Sequence, residues 1–427
     1  MRYTQFLLFV LLNLSAQLGL ITPAIAADNT SLAGISLDEA TALALQSNPD
    51  IAIALSGREV ESGQALQAGT RPNPTLSAQI EDLRSRNRNT ILLISQQLET
   101  AGKRDKRMAA AGANIAIADA DIRIAQAETS AKVYSAFYQV LAAQQAQMLA
   151  TELLRIGTTS KETTAKRVSA GKVSPVEETK AKVVEASLKV DLVNASQQLV
   201  AAKKRLISLW GKGLASAETM TFTAMGELDK LNTLPALNVL AAELPNSPRL
   251  KKASLAIIQK QALSEVEKSK QMPDVTISLG ARRNEELGGI TQALIGLSVP
   301  IPLFDKNQGN LQIAKAREVQ SQDEKTALEN QLQTELAIAY ARWQSQIEAI
   351  TTYSQDILPG AQSAYDAARK GFDFGKFSFL EVLDAQRTLF QAKTQYIQTL
   401  ALAHQAEADI QSLLGLSSGD GTVYDPV

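Results

Sequence analysis

The sequence predicts a mainly α-helical chain built from one unit repeated twice, each copy carrying a pair of short strands. Three observations predict it. Landmarks recur in the same order: Pro49 and Pro248, and Pro74 and Pro273, lie 199 residues apart, Ser95 and Ser298 lie 203 apart, and Gly171 and Gly375, like Gly211 and Gly415, lie 204 apart. Seven-residue apolar spacing runs through stretches far longer than the helices of ordinary globular domains. Between them, short stretches alternate apolar and polar residues with the period of two that marks a strand.

Taken in order, residues 1–26 have the layout of a secretory signal: Arg2, an apolar run, then Pro23 and the small-residue pattern Ala24-Ile25-Ala26. A retained anchor is the alternative, weakened by Asn13, Ser15 and Gln17 within the run. The chain contains no cysteine, which excludes a lipid anchor at the cleavage site. The first repeat is expected over 27–210, an equatorial connecting segment over 211–242, the second repeat over 243–415, and a tail over 416–427.

Within each repeat the expected order is helix, strand, strand, long helix, turn, helix. In the first, Leu37–Ala68 forms a helix, and Leu76, Ala78 and Ile80 mark a strand. The long helix runs from Gly102 to Thr164, roughly 95 Å at ~1.5 Å per residue, and Pro175–Leu209 follows the turn. In the second, Leu237–Lys270 is helical. Val275, Ile277 and Leu279 mark one strand, and Ala293, Ile295, Leu297 and Val299 its partner. Gln308–Ala368 is the long helix and Ser378–Leu414 the last. The two shorter helices of each repeat, laid end to end, match its long one. Each strand is about ten residues, near the length a tilted strand needs to cross a bilayer. From this pattern taken by itself, a soluble sheet fits equally well.

The long helices carry two seams. Met108, Ile115 and Ile122 form one row, and Ile117, Ile124, Ala131 and Tyr138 another about 200° around the axis. Leu192, Leu199 and Leu206, and Leu336, Trp343, Ile350 and Ile357, continue the spacing. Two seams suit a helix in a closed wall, although long coiled coils share the pattern.

Four strands cannot close a barrel, and an open edge in hydrocarbon leaves each unpaired backbone group at a cost of several kcal/mol. Copies must therefore associate. Two would give eight strands with a filled interior, and three would give twelve with room for a lumen, the preferred outcome.

Composition removes other classes. The 43 Lys plus Arg against 44 Asp plus Glu argue against nucleic acid as a partner. A single histidine and no cysteine remove thiolate metal sites and most histidine catalysis, so neither an enzyme nor a bound cofactor is expected. His404 follows Phe390 and Ile397 at seven-residue steps and reads as a seam residue.

The stretches LDEATALALQSNPDI, RPNPTLSAQIEDL, LETAGKRDKR, PIPLFDKNQGN and GKFSFLEVLDAQRTLFQAKTQY resemble the TolC family of outer-membrane efflux proteins, the first four most closely its heavy-metal cation branch. The resemblance implies a homotrimer with a twelve-stranded β-barrel in outer-membrane lipid and a twelve-helix α-barrel reaching through the periplasm. It implies an exit duct of a tripartite efflux system, docked to a periplasmic adaptor (membrane fusion protein) and an inner-membrane pump of the resistance-nodulation-division (RND) class. A channel for drugs or secreted protein is the alternative within the family, and a periplasmic adaptor the alternative outside it. By the same resemblance, Glu381 and Asp384 occupy the acidic positions lining the periplasmic gate. Gly171 and Gly375 make the two tips, and Phe372 and Phe377 serve tip packing or adaptor contact. Lys180 stands where the first tip would place the second carboxylate.

Overall fold

A computed structural model describes residues 32–82, 84–213 and 222–416. The expected signal segment and nearly all of the expected C-terminal tail lie outside the described residues. In chain order the elements are β1 (Leu32–Ile35), α1 (Leu37–Ser47), α2 (Pro49–Ala68), β2 (Thr75–Glu81), β3 (Asn89–Leu98), α3 (Lys103–Ser169), α4 (Pro175–Leu209) and β4 (Phe222–Ala224). The second half holds α5 (Leu237–Glu243), a 3-10 turn (Leu244–Asn246), α6 (Pro248–Ser269), β5 (Val275–Asn284) and β6 (Ile290–Ser298). It ends with α7 (Gln308–Thr352), a π-helical turn (Tyr353–Ile357), α8 (Leu358–Asp373) and α9 (Phe379–Leu414).

The predicted order of elements holds, with four corrections. The helix expected over Leu37–Ala68 breaks before Pro49. Proline has no N–H to continue a helix, so Asn48 turns extended and its side chain caps the next helix through the Asp50 N–H. The helix expected over Leu237–Lys270 breaks in the same way, at Ser247 before Pro248. β2 has seven residues rather than about ten. In the second long helix, Leu336, Trp343 and Ile350 are buried as predicted but Ile357 is exposed, because the π-helical turn rotates the seam away. Pro359 accounts for that turn: it cannot bond the carbonyl four residues back, and the wider turn makes room for its ring. The short strands β1 and β4, which pair in parallel, went unforeseen.

The end-to-end stacking of short helices is present in atomic detail. Ser47 Oγ donates to the Trp210 carbonyl (2.9 Å) and Asn48 Nδ2 to the Leu209 carbonyl (2.9 Å), so α2 begins where α4 stops. Gly211 (φ 68°) lies against the Ser47 carbonyl, and Gly415 (φ 75°) against the Pro248 ring at the start of α6. Either turn needs left-handed backbone and has no room for a Cβ.

The strands form one antiparallel sheet in the order β2-β3-β5-β6. Its register separates two faces. Leu76, Ile94, Leu279 and Ile295 form one cross-strand row and Ala78, Leu92, Ala281 and Ala293 the next, while Thr75, Ser95, Ser278 and Gly296 lie on the opposite face. The helices keep the same order. α2 above and α4 below flank one side of α3; α6 and α9 flank the other and pack in turn on α7, with α8 on α9 below. The described residues thus form a wall, four elements wide, with two free edges. Large apolar residues stand exposed along the first: Ile53 and Val60 on α2, and Val176, Val183 and Val190 at seven-residue steps on α4. No helix among the described residues is long and apolar enough to cross a membrane.

The core concentrates at the waist. Phe137, Val140, Leu206, Ile207, Trp210, Phe222 and Leu228 form one cluster, and Leu240, Leu244, Leu332, Leu336, Trp343 and Ile410 another. The β1/β4 pair is fastened there by Gln144, whose side chain donates to the Ala224 carbonyl and accepts from its N–H.

Candidate functional site

The two hairpin tips are the same turn made twice. α3 ends with the Lys172 N–H bonded to the Arg167 carbonyl (2.9 Å) around Gly171 (φ 68°). α8 ends with the Lys376 N–H bonded to the Gly371 carbonyl (2.7 Å) around Gly375 (φ 71°). This closing bond, with glycine in the left-handed region, is the Schellman motif. A Cβ on either glycine would meet nothing within 4 Å, so the backbone angle and not space selects glycine. A serine then caps each following helix, Ser174 on α4 and Ser378 on α9.

The caps differ in a way that bears on the acidic pair. Glu381 sits at the third position of α9 and its carboxylate accepts the Ser378 N–H (2.6 Å), completing a capping box. Asp384, one turn further along, is exposed and makes no ion pair among the described residues. It lines, with Leu380, Leu383, Arg387 and Phe390, a groove of about 590 Å³ between α3, α4 and α9. Spacing of three leaves both carboxylates on the exposed side of the first turns of α9. One is tied to the helix terminus and the other is open to whatever occupies the groove.

Phe372 is buried with Tyr365, Ala368, Phe379, Val382 and Ala181 of α4, in the apolar cluster of the tip. Phe377 is half exposed and lies across Gly371, where a Cβ would overlap its ring. Phe374 projects into solvent, 80% exposed.

A link between the hairpins that the sequence reading missed is Arg167. From the last turn of α3 its guanidinium donates to the Phe372 carbonyl (3.1 Å), stands 4.0 Å over the Phe372 ring, and comes within 3.9 Å of Asp373. Its signal was an arginine where the negative end of the helix dipole favours a cation, four residues before the tip glycine. Within the first hairpin, Lys161 meets both carboxylate oxygens of Glu185 (3.0 Å each) and holds that carboxyl below its usual range.

His404 lies wholly buried at the waist. Its Nε2 donates to the Leu228 carbonyl (2.9 Å), its Nδ1 accepts from the Tyr134 hydroxyl (3.2 Å), and its ring stacks on Tyr138. Burial pushes its pKa down to about 4, against the Leu228 hydrogen bond. One turn on, the buried Glu407 accepts from Asn232 Nδ2 (2.6 Å) and Gln411 Nε2 (3.1 Å), and burial raises its pKa. This cluster stitches the connecting segment to α3 and α9.

Comparisons with known proteins agree with the wall-and-sheet geometry. The family described as "Outer membrane efflux protein" matches residues 41–212 and 239–416. The cobalt-zinc-cadmium resistance protein CzcC of Cupriavidus metallidurans is 38% identical over 381 residues, covering 89% of this chain and 90% of that protein. The cation efflux system protein CusC of Escherichia coli K12 is 28% identical over 293 residues, covering 66% and 62%. Among solved structures, CusC superposes with a TM-score of 0.73 at 21% identity (89% and 92% covered). The Vibrio cholerae outer membrane protein VceC superposes with a TM-score of 0.74 at 20% identity (89% and 96% covered). These two likenesses establish the fold.

Proposed function

The chain belongs to the outer membrane efflux protein family, and from that premise we propose that it is the exit duct of a tripartite efflux system that expels heavy-metal cations. It is a passive channel in the outer membrane and periplasm. The observation that carries the channel reading is the two-edged wall: strands and helices run in the same order, β2-β3-β5-β6 beside α2/α4-α3-α6/α9-α7/α8. Such a wall leaves unpaired backbone on β2 and β6, costing several kcal/mol per group in lipid, and head-to-tail association removes both edges at once. Three copies give twelve strands around a lumen. The sheet's apolar rows then face lipid and its polar rows face water.

The likeness to CzcC, named for cobalt, zinc and cadmium resistance, supports the cargo, and the family resemblance supports the partners. The duct receives cations from an RND pump of the inner membrane through a periplasmic adaptor that docks on the hairpin tips. Glu381 and Asp384 form the acidic entrance. At ~8 Å and an effective dielectric of ~20, each carboxylate attracts a monovalent cation by about 2 kcal/mol before screening. Selection of the metal belongs to the pump, and this chain conducts.

Deleting the gene and measuring tolerance to cobalt, zinc and cadmium beside a panel of drugs tests the cargo. Sensitivity to metals, restored by the gene in trans, is expected. Sensitivity to drugs with unchanged metal tolerance would transfer the duct to a different pump class.

A further inference from the structure

Between β6 and α7 the second repeat runs through VPIPLFDKN, Val299–Asn307. Ile301, Leu303 and Phe304 are 78%, 70% and 92% exposed, an apolar group that nothing among the described residues covers. The matching return of the first repeat is polar and fastened: Thr100 donates to Asp274 and to the Pro273 carbonyl, Glu99 pairs with Arg107, and Lys103 with Asp274. The two returns occupy equivalent places and carry opposite chemistry.

Four features of this segment fit one occupant. Val299–Phe304 is apolar throughout and follows directly on β6, whose Ile295 and Leu297 belong to the apolar face of the sheet. Pro300 and Pro302 have no N–H, and the Leu303 N–H is bonded to the Ile301 carbonyl (2.9 Å), so the backbone carries few donors that hydrocarbon would leave unsatisfied. Residues 69–102 and 270–307 contain no aromatic side chain except Phe304. It lies just past the helix-side end of the strand layer, where membrane barrels carry their interfacial aromatic girdle. Asp305, Lys306 and Asn307 follow at once, a polar group at headgroup depth.

We infer that Val299–Phe304 is a lipid-inserting strap: Ile301, Leu303 and Phe304 sit at the boundary of headgroup and acyl chain in the periplasm-facing leaflet. The strap fixes how deep the barrel rides. The inference rests on the proposal that the sheet is a barrel in a bilayer, and its test keeps the two apart. The occupant is lipid rather than a second copy, because the one aromatic of the strand layer stands at its helix-side end with polar Asp305, Lys306 and Asn307 directly after it, the order of an interfacial boundary, whereas a neighbouring copy would meet β6 in the plane of the sheet.

Because the chain has no cysteine, single cysteines can carry a nitroxide label without background. Phe304→Cys, Leu303→Cys and Ile295→Cys, each labelled in the full-length protein and reconstituted into phosphatidylethanolamine–phosphatidylglycerol vesicles, are read by collision with oxygen, which partitions into lipid, and with a water-soluble nickel chelate. Labels at 295, 303 and 304 should all favour oxygen, with 303 and 304 shallower than 295 and nickel collisions lost relative to a label at Lys306. A label at 295 that favours oxygen while 303 and 304 favour nickel, or while both are sealed from either reagent, overturns the strap and leaves the barrel intact. A label at 295 that favours nickel removes the barrel and the strap together.

Discussion

Replacing Arg167 by alanine removes the contact that holds the second tip against the first. Its size can be worked from the structure. The guanidinium contributes one charge-assisted hydrogen bond to the Phe372 carbonyl. That carbonyl also accepts the Gly375 N–H (3.0 Å), so the substitution strands no acceptor and the loss stays at the low end, about 1.5 kcal/mol. The cation over the Phe372 ring adds about 0.5–1.5 kcal/mol. The approach to Asp373 is long and that carboxylate 62% exposed, so it adds little. A total of about 2–3 kcal/mol shifts the balance between docked and released tips by about 30- to 140-fold. In planar-bilayer recordings Arg167→Ala should raise the fraction of time in the high-conductance state, with no loss of assembly. Arg167→Lys keeps the charge but not the guanidinium geometry and should fall between. Identical gating in wild type, Arg167→Ala and Arg167→Lys would refute the claim that this contact couples the hairpins.

Three further outcomes are expected. In the acidic pair Asp384→Asn should reduce cation preference more than Glu381→Gln, since Glu381 is engaged in the capping box, and the latter should chiefly destabilise the start of α9, by about 1 kcal/mol; reversal potentials and thermal unfolding read the two effects. Gly211→Ala and Gly415→Ala should each cost about 1–2 kcal/mol or more through left-handed backbone and overlap with the abutting helix, seen as a lowered Tm of the assembled protein. At the waist, His404 titrates at about 4 when folded against 6.5 in its reference state, so its contribution, about 3 kcal/mol, is full above pH 6.5 and lost as pH falls toward 4. Glu407, raised by burial, acts in the opposite sense, its stability present below pH 4.5 and lost as pH rises; Glu407→Gln should therefore stabilise the protein at pH 7.5 and do little at pH 4, as denaturant unfolding at the two values would show.

What the sequence made legible is what periodicity and turn chemistry encode. Leu336, Trp343 and Ile350, and Leu199 and Leu206, are buried seam residues as their spacing requires. The tip glycines and the glycines at 211 and 415 all have the left-handed backbone that their positions suggest. Illegible were features decided by contacts between distant segments. Leu32–Ile35 and Phe222–Ala224 are too short to stand out as strands, and become so only because Gln144 and the waist core hold them together. Arg167 resembles any arginine ending a helix until Phe372, 205 residues away, is placed beneath it. Pro49 and Pro359 were visible as letters; that one breaks its helix and the other widens it depends on what packs alongside.

The duplication explains the architecture, and the second copy departs from the first at three places. A wall of equal repeats needs only the shared parts: the seams, the two tip turns, and the stacking of α4 on α2 and α9 on α6. The second copy adds a capping box with a free carboxylate beyond it where the first has Lys180, a π-helical turn above its tip, and an apolar return from the sheet where the first has Thr100 bound to Asp274. The capping box fastens the start of α9, the Asp384 carboxylate and the apolar return are exposed, and the π-helical turn interrupts the second long helix. In the first hairpin, by contrast, Glu185 is clamped by Lys161 and the long helix runs 67 residues without interruption. The π-helical turn is the local adjustment that Pro359, with its ring and missing N–H, imposes on the second long helix. The two hairpins thus differ in build: the first has an unbroken long helix, and the second is interrupted at Tyr353–Ile357 and joined to the first at its far end through Arg167. The 16 residues of α8, at ~1.5 Å each, set that join about 24 Å along the hairpin from the π-helical turn, so the interruption and the Arg167 contact mark opposite ends of one helical segment.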